Sequence, residues 1–248
     1  MPSVIAVISL GNTTVAAGLW RAGRLVFRKR LPAAALGRRA LFAGAGRRDL
    51  GGAAVAAVAS VVPARERALA AVLRRELGLR PRYLGRDLGA RLKLRVEDPA
   101  EVGADRLASA LAAHRRFGAA VVVDFGTAVT VNAVSARGEF LGGAILPGPA
   151  LAVGALASGT ARVRVPAPER AVKPPGRSTA EAVGAAATYG LAGAVDRLVN
   201  ETRSALGGRA ALVATGGGAG LLVPLCRTRF RVLPDLVLEG LAVAVSES

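Results

Sequence analysis

Cysteine, histidine, tryptophan and methionine occur once each in the 248 residues, and aromatic side chains make up only 4% of them. The single thiol, Cys226, excludes an intramolecular disulfide and agrees with a reducing compartment. One cysteine and one histidine, His114, are too few ligands for a zinc site. His114 stands beside Arg115-Arg116 on a helical stretch and reads as structural or solvated. No Gly-x-Ser-x-Gly elbow is present, which argues against a Ser-His-Asp hydrolase. So few aromatic rings supply no stacking platform for single-stranded nucleic acid. Long uncharged apolar runs are missing too: the best, Val121 to Val134, is broken by Asp124 and Gly126, so no membrane span is expected. Met1 to Leu10 is apolar but lacks a basic leader and a cleavage site, which predicts no secretory signal. These absences together predict a cytoplasmic protein without a membrane or nucleic-acid partner.

Acids are scarce relative to bases, 17 against 34, for a formal charge of +17. A nucleic-acid surface, attraction of an anionic substrate such as a nucleotide, and compositional drift in an Ala-, Gly- and Val-rich chain all produce such a balance. The bases are scattered singly or in pairs such as Arg38-Arg39 and Arg74-Arg75 rather than gathered in a block. That favours drift, with attraction of an anionic substrate as an added effect. With 52% apolar residues, the chain has enough material for one large core or two smaller ones.

The pattern along the chain repeats. Val4 to Leu10, Val15 to Trp20 and Leu25 to Leu31 read as three strands joined by tight turns. Ala53 to Val62 reads as a buried strand, and Pro63 to Leu77 as a helix ended by Gly78. Pro99 to Phe117 predicts one continuous helix, with Asp105 about a turn inside it. Ala119 to Val123, Val129 to Val134 and Glu139 to Leu146 then restate the opening meander. Pro147 to Ala157 predicts a helix, and Thr179 to Leu206 a long one interrupted at Gly190 and Gly193. Ala210 to Ala214 predicts a strand with a helix after it. Strand, polar glycine turn, strand, turn, strand thus occurs twice, an internal repeat of architecture. The expected organisation is an N-terminal lobe, 1–117, and a C-terminal lobe, 118–248.

Three turns follow strands: Ser9-Leu10-Gly11-Asn12-Thr13, Asp124-Phe125-Gly126-Thr127, and Thr215-Gly216-Gly217-Gly218. Such turns aim backbone N–H groups at a phosphate, glycine permits close approach, and threonine adds a hydroxyl. Singly, Gly-Asn-Thr is an ordinary hairpin turn; three in matched context suit a nucleotide. Asp124 ends an apolar strand, where a carboxylate either caps its own turn or meets a cation. Asp105, beside Arg106, by itself reads as an acid complementing a helix N-terminus.

In order along the chain, these pieces resemble the type III pantothenate kinases, of the acetate-kinase, sugar-kinase and actin superfamily. The resemblance rests on Leu10-Gly11-Asn12-Thr13, Ala59 to Pro63, Asp98 to Arg106, Asp124 to Thr130, Gly138 to Ile145 with Pro147-Gly148, Gly176 to Thr179, and Ala214 to Gly217. It implies an α/β fold of two ribonuclease-H-like lobes with the active cleft between them. It also implies ATP-dependent phosphorylation of pantothenate, the first step of coenzyme A biosynthesis, by a homodimer. By resemblance, Asp105 is the general base, and Gly103, Ala104, Arg106, Thr179 and Val96 line the pantothenate site. Ser9, Gly11, Asn12, Thr13, Thr127, Gly216 and Gly217 hold ATP with Mg2+, and Asp124 binds a monovalent cation, K+ or NH4+.

Six residues at four sites depart from the family pattern. Ser9 replaces the aspartate that opens the first loop, Val96 a tyrosine, Arg177-Ser178 a Lys-Asn pair, and Ala185-Ala186 a Ser-Gly pair. A neutral hydroxyl is a poorer ligand for a hard dication than a carboxylate. The readings are therefore an active pantothenate kinase with an altered metal site, a kinase for another small alcohol, and a weakly active or inactive relative kept for binding or regulation.

Overall fold

The computed structural model describes residues 4–248; Met1 to Ser3 of the opening apolar run lie outside the described residues. The chain forms two compact units, one running to Arg115 and including Leu236–Ser248, the other spanning Arg116–Asp235.

In the first unit, β1 (Val4–Leu10), β2 (Thr14–Arg21) and β3 (Arg24–Pro32) form the antiparallel meander expected from the turns. Strand β4 (Ala53–Ser60) runs parallel to β1, and β5 (Pro81–Tyr83) parallel to β4, for a sheet order of β3-β2-β1-β4-β5. A short helix, α1 (Arg47–Gly51), precedes β4, and α2 (Pro63–Leu77) carries the chain from β4 to β5. Both faces of β1 are covered, which is why Val4 to Ile8 read as an apolar run rather than an alternation. Val4, Ala6, Ile8 and Leu10 share a core with Leu69, Val72 and Leu73 of α2. Gly78 ends α2 in a left-handed conformation (φ 69°), its N–H reaching the Arg74 carbonyl, as the Leu77-Gly78 pair predicts. After the two-residue strand β6 (Lys93–Leu94) comes α3 (Ala104–Phe117).

The second unit repeats this wiring. Strands β7 (Ala120–Phe125), β8 (Ala128–Val134) and β9 (Glu139–Pro147) form the meander. Strand β10 (Ala211–Thr215) lies parallel to β7, and β11 (Arg231–Val232) parallel to β10. The order β11-β10-β7-β8-β9 is that of β5-β4-β1-β2-β3. Between β9 and β10 lie α4 (Pro149–Gly159), α5 (Thr179–Ala185) and α6 (Leu191–Ala205); α7 (Ala219–Leu222) follows β10. Leu191, Val195 and Val199 of α6 pack on Val121, Val123 and Phe125 of β7 and on Val129 and Val131 of β8.

Three expectations are corrected. The helix over Pro99–Phe117 is two pieces, a 3-10 turn at Pro99–Glu101, capped by Asp98 accepting the Ala100 N–H at 2.8 Å, and then α3; extended backbone at Val102 (φ −74°, ψ 115°) separates them. Asp105 is therefore the second residue of α3, not a turn inside a helix. The long helix at Thr179–Leu206 passes through a π-helical turn, Ala186–Gly190, while Gly193 lies uninterrupted inside α6. Within that turn the buried Thr188 hydroxyl donates to the Gly184 carbonyl at 2.7 Å. The last helix, α8 (Leu236–Ser246), does not belong with residues 118–235: it returns to the first unit and packs on β1, β2 and β4.

The return of α8 requires a glycine. A Cβ on Gly240 would overlap the backbone carbonyl of Ala108 on α3, so the two helices meet main chain against main chain. Gly240→Ala is expected to force them apart and to lower unfolding stability by about 1–3 kcal/mol, read as a fall in the urea midpoint. An unchanged midpoint would show that the contact is not tight.

Candidate active site

Polar turns gather at the carboxyl ends of the parallel strand pairs, β1/β4 and β7/β10, the edge at which open α/β sheets bind ligands. In the first unit, β1 and β4 run in register to Leu10 opposite Ser60. The Val61 N–H then donates to the Leu10 carbonyl at 3.1 Å, and the Ser60 hydroxyl accepts from Val62 N–H at 3.3 Å. The turn after β1 is closed by the Gly11 N–H on the Thr14 carbonyl at 2.9 Å, and Ala33 N–H holds the Thr13 carbonyl at 2.8 Å. Ser9 and Gly11 are half-buried there, while Asn12 and Thr13 are exposed.

Gly103 ties the start of α3 to this edge. A Cβ at that position would lie 3.4 Å from Val61 Cγ1 and 2.7 Å from Asp105 Oδ1, so only glycine leaves the carboxylate its place. Asp105 Oδ1 accepts the Arg106 N–H at 2.7 Å. Burial pushes the Asp105 carboxyl above its ordinary range, and the Arg106 N–H and guanidinium only partly offset it. Burial likewise draws the Arg106 guanidinium down, against the pull of Asp105. The first unit thus brings Ser9, Gly11, Asn12, Thr13, Gly103, Ala104, Asp105 and Arg106 to neighbouring turns. Val96 is half-buried on a separate segment after β6.

In the second unit, Asp124 pairs with Thr215 across β7 and β10. Gly216 has φ 92°, and a Cβ there would collide with both the Asp124 carboxylate and the Phe125 carbonyl. Gly218 N–H donates to that same Phe125 carbonyl at 2.8 Å, and Gly148 N–H donates to the Thr127 carbonyl at 3.0 Å. Asp124, Thr127, Gly216 and Gly217 therefore share one knot of backbone. Thr179 is exposed as the first residue of α5. Its neighbours form a reciprocal cap: Ser178 Oγ accepts Glu181 N–H at 3.2 Å and the Glu181 carboxylate accepts Arg177 N–H at 2.7 Å.

Two features were not foreseen. Asp196 fixes the segment before β11 by accepting the Arg227 and Thr228 N–H groups at 2.8 and 2.9 Å. Burial tends to raise its carboxyl, but these bonds outweigh burial and hold it low. A single aspartate on a helix carries no signal for so distant a partner. Cys226, beside it, is pushed up to about 12 by burial first and by Asp196 second, so it stays a thiol at neutral pH.

The model of the type III pantothenate kinase family matches residues 5–201. The chain belongs to that family. The type III pantothenate kinase of Moorella thermoacetica is 40% identical over 190 residues, 75% of this chain and 74% of its own length. That of Thermomicrobium roseum is 39% identical over 258 aligned positions, 97% of this chain and 96% of its own. A ROK family glucokinase from Streptomyces griseus, solved with glucose and AMPPNP, shares the fold: TM-score 0.53, 15% identity, 98% of this chain and 100% of the glucokinase covered. The expected actin-like and sugar-kinase architecture, with its duplicated ribonuclease-H-like sheet, is the one observed.

The raised Asp105 carboxyl predicts a pH signature. A carboxyl whose folded pKa exceeds its unfolded one binds the proton more tightly when folded, so stability falls as pH rises from the unfolded value, about 4, through the folded one. Above that window the cost of a buried charge persists in full. Asp105→Asn keeps an acceptor for Arg106 N–H and removes the charge. It is expected to melt higher than wild type at pH 8 and equally near pH 3.5. A variant that melts lower at pH 8 would mean that the carboxylate is stabilised where it sits.

Proposed function

We propose that the chain phosphorylates pantothenate with ATP, giving 4'-phosphopantothenate in the first step of coenzyme A biosynthesis. The observation that carries this reading is the Asp105 carboxylate, half-buried at the start of α3, where backbone N–H donors and the Arg106 guanidinium do not offset the rise that burial causes. A carboxylate so held takes a proton more readily than an exposed one, which suits a base that orients an alcohol. Gly103, Ala104, Arg106, Val96 and Thr179 are assigned to the pantothenate side. Ser9, Gly11, Asn12, Thr13, Thr127, Gly216 and Gly217 are assigned to ATP, and Asp124 to a monovalent cation, K+ or NH4+.

Phosphoryl transfer asks a protein chiefly for position and charge neutralisation. Backbone N–H groups of the glycine turns supply donors, and Asp105 receives the hydroxyl proton as the oxygen attacks. No group of three or more His, Cys, Asp or Glu able to hold a metal occurs among the described residues. Mg2+, which the family's kinase chemistry implies, is accordingly assigned to the nucleotide phosphates and water with few protein ligands, as is usual for this ion. When bound it neutralises phosphate charge. Ser9 fits that role only weakly, and this favours a second reading, a relative with little turnover retained for binding or regulation.

ATP consumption with pantothenate, Mg2+ and K+ decides between them. The active-kinase reading expects turnover in wild type and a loss of about 10²–10⁴-fold in Asp105→Asn. Wild type without turnover, restored by Ser9→Asp, would establish the second reading. Turnover insensitive to Asp105→Asn would remove Asp105 as the base.

We propose that the homodimer forms through the face made by β9, α4 and the π-helical turn. Helix α4 is apolar, yet Val153 is its only buried residue. Ile145 (62% exposed), Leu151, Leu156, Leu141 and Tyr189 add to the same elements, and clustered apolar exposure of this kind marks an interface. Ile145→Glu with Leu151→Glu is expected to halve the mass measured by light scattering without lowering helicity. A wild-type mass of one chain would contradict the dimer. No helix among the described residues is long and apolar enough to cross a membrane. The single thiol and the proposed reaction suit a cytoplasmic site of action.

A further inference from the structure

The first glycine turn, Ser9 to Thr14, contains no carboxylate. A cation stands against it instead. Arg65, the third residue of α2, donates from Nη1 to the Asn12 carbonyl at 3.1 Å. That carbonyl is the one acceptor its guanidinium meets among the described residues. The acid next to it in sequence, Glu66, is taken by Arg86 at 2.6 Å. The rest of the guanidinium fork is therefore not satisfied by the protein, although the side chain is half-buried.

Its backbone is firmly held. The Arg65 N–H donates to the Val62 carbonyl at 3.0 Å, and Val61 N–H donates to the Leu10 carbonyl at 3.1 Å, so the start of α2 is tied to the end of β1. Asn12 itself is exposed, and the turn spends the Gly11 N–H, not that of Asn12, on its closure. Arg65 and the Asn12 amide thus offer donors and a positive charge beside one another. Arginine's planar fork matches phosphate oxygens in pairs, and a neighbouring carboxylate would compete for it.

We infer that Arg65 is a phosphate-contacting residue: held over the first turn by Asn12, its guanidinium binds a nucleotide phosphate directly. The inference rests on the ATP-dependent reading above. It explains how a turn without an acid still neutralises phosphate charge, by a fixed side-chain cation rather than by a carboxylate-held metal.

The test is calorimetric titration of the full chain with ATP and with adenosine, in EDTA and in excess Mg2+. Arg65→Gln is expected to weaken ATP binding about tenfold in EDTA, and less in Mg2+, while leaving adenosine binding and the melting temperature unchanged. Arg65→Lys is expected to restore part of the loss. Arg67→Gln, an exposed cation on the same helix turn, is expected to change nothing. Arg65→Gln binding ATP as tightly as wild type overturns the inference while the ATP reading stands. Equal loss of ATP and adenosine also overturns it, by making Arg65 structural. Wild type that binds no ATP in either buffer overturns the ATP reading and the inference with it. Arg65→Met, which keeps the apolar stem, repeats the comparison if Arg65→Gln does not fold.

Discussion

A glycine in a left-handed conformation at position 216 lets the turn after β10 rest directly on the Asp124 carboxylate and the Phe125 carbonyl. Much of the second unit's site depends on this contact. Because no side chain intervenes, Gly218 reaches the Phe125 carbonyl, and the ends of β7 and β10 close into one surface. The first unit solves the same problem differently. There Val61 N–H joins the ends of β4 and β1, and Gly103 supplies the close approach that seats Asp105. Two copies of one sheet topology thus use main-chain contacts at their strand ends, one to close a glycine turn against Asp124, the other to seat Asp105.

The charge balance acquires a local meaning in this frame. Exposed pairs such as Arg197–Glu201 contribute little to stability. With 34 bases to 17 acids, the bases outnumber the acids two to one, and the potential around the molecule favours anions. What distinguishes Arg65 from this background is position: it is anchored to a glycine turn by a backbone carbonyl. Asp105 is distinguished in the same way among the acids, by burial at a helix start instead of solvation.

How much of this was legible depended on the range of the forces involved. The meanders were, because apolar runs and turn residues are local: Val4 to Ile8 and Ala120 to Val123 are buried and carry continuous apolar sequence. The ends of α2 were, through Pro63 and Gly78. The break before α3 was not, because the extended backbone of Val102 interrupts a helical pattern that runs through it. The path through Gly190 and Gly193 was misjudged for a related reason: packing of Leu191, Val195 and Val199 on the sheet outweighs the small helical penalty of glycine.

By itself the sequence determined the repeated strand-turn-strand order, the family, and the residue types available at each turn, since these follow from local periodicity and from motifs in fixed order. Tertiary structure alone decided that α8 returns to the first unit, where Gly240 admits the Ala108 carbonyl, and that Asp105 begins a helix under Gly103. It alone also set Arg65 over Asn12, 53 positions away. The physical reason is the same in each case: a close approach between backbones, or the loss of water around a carboxylate, belongs to two segments at once and leaves no trace in the spacing of either.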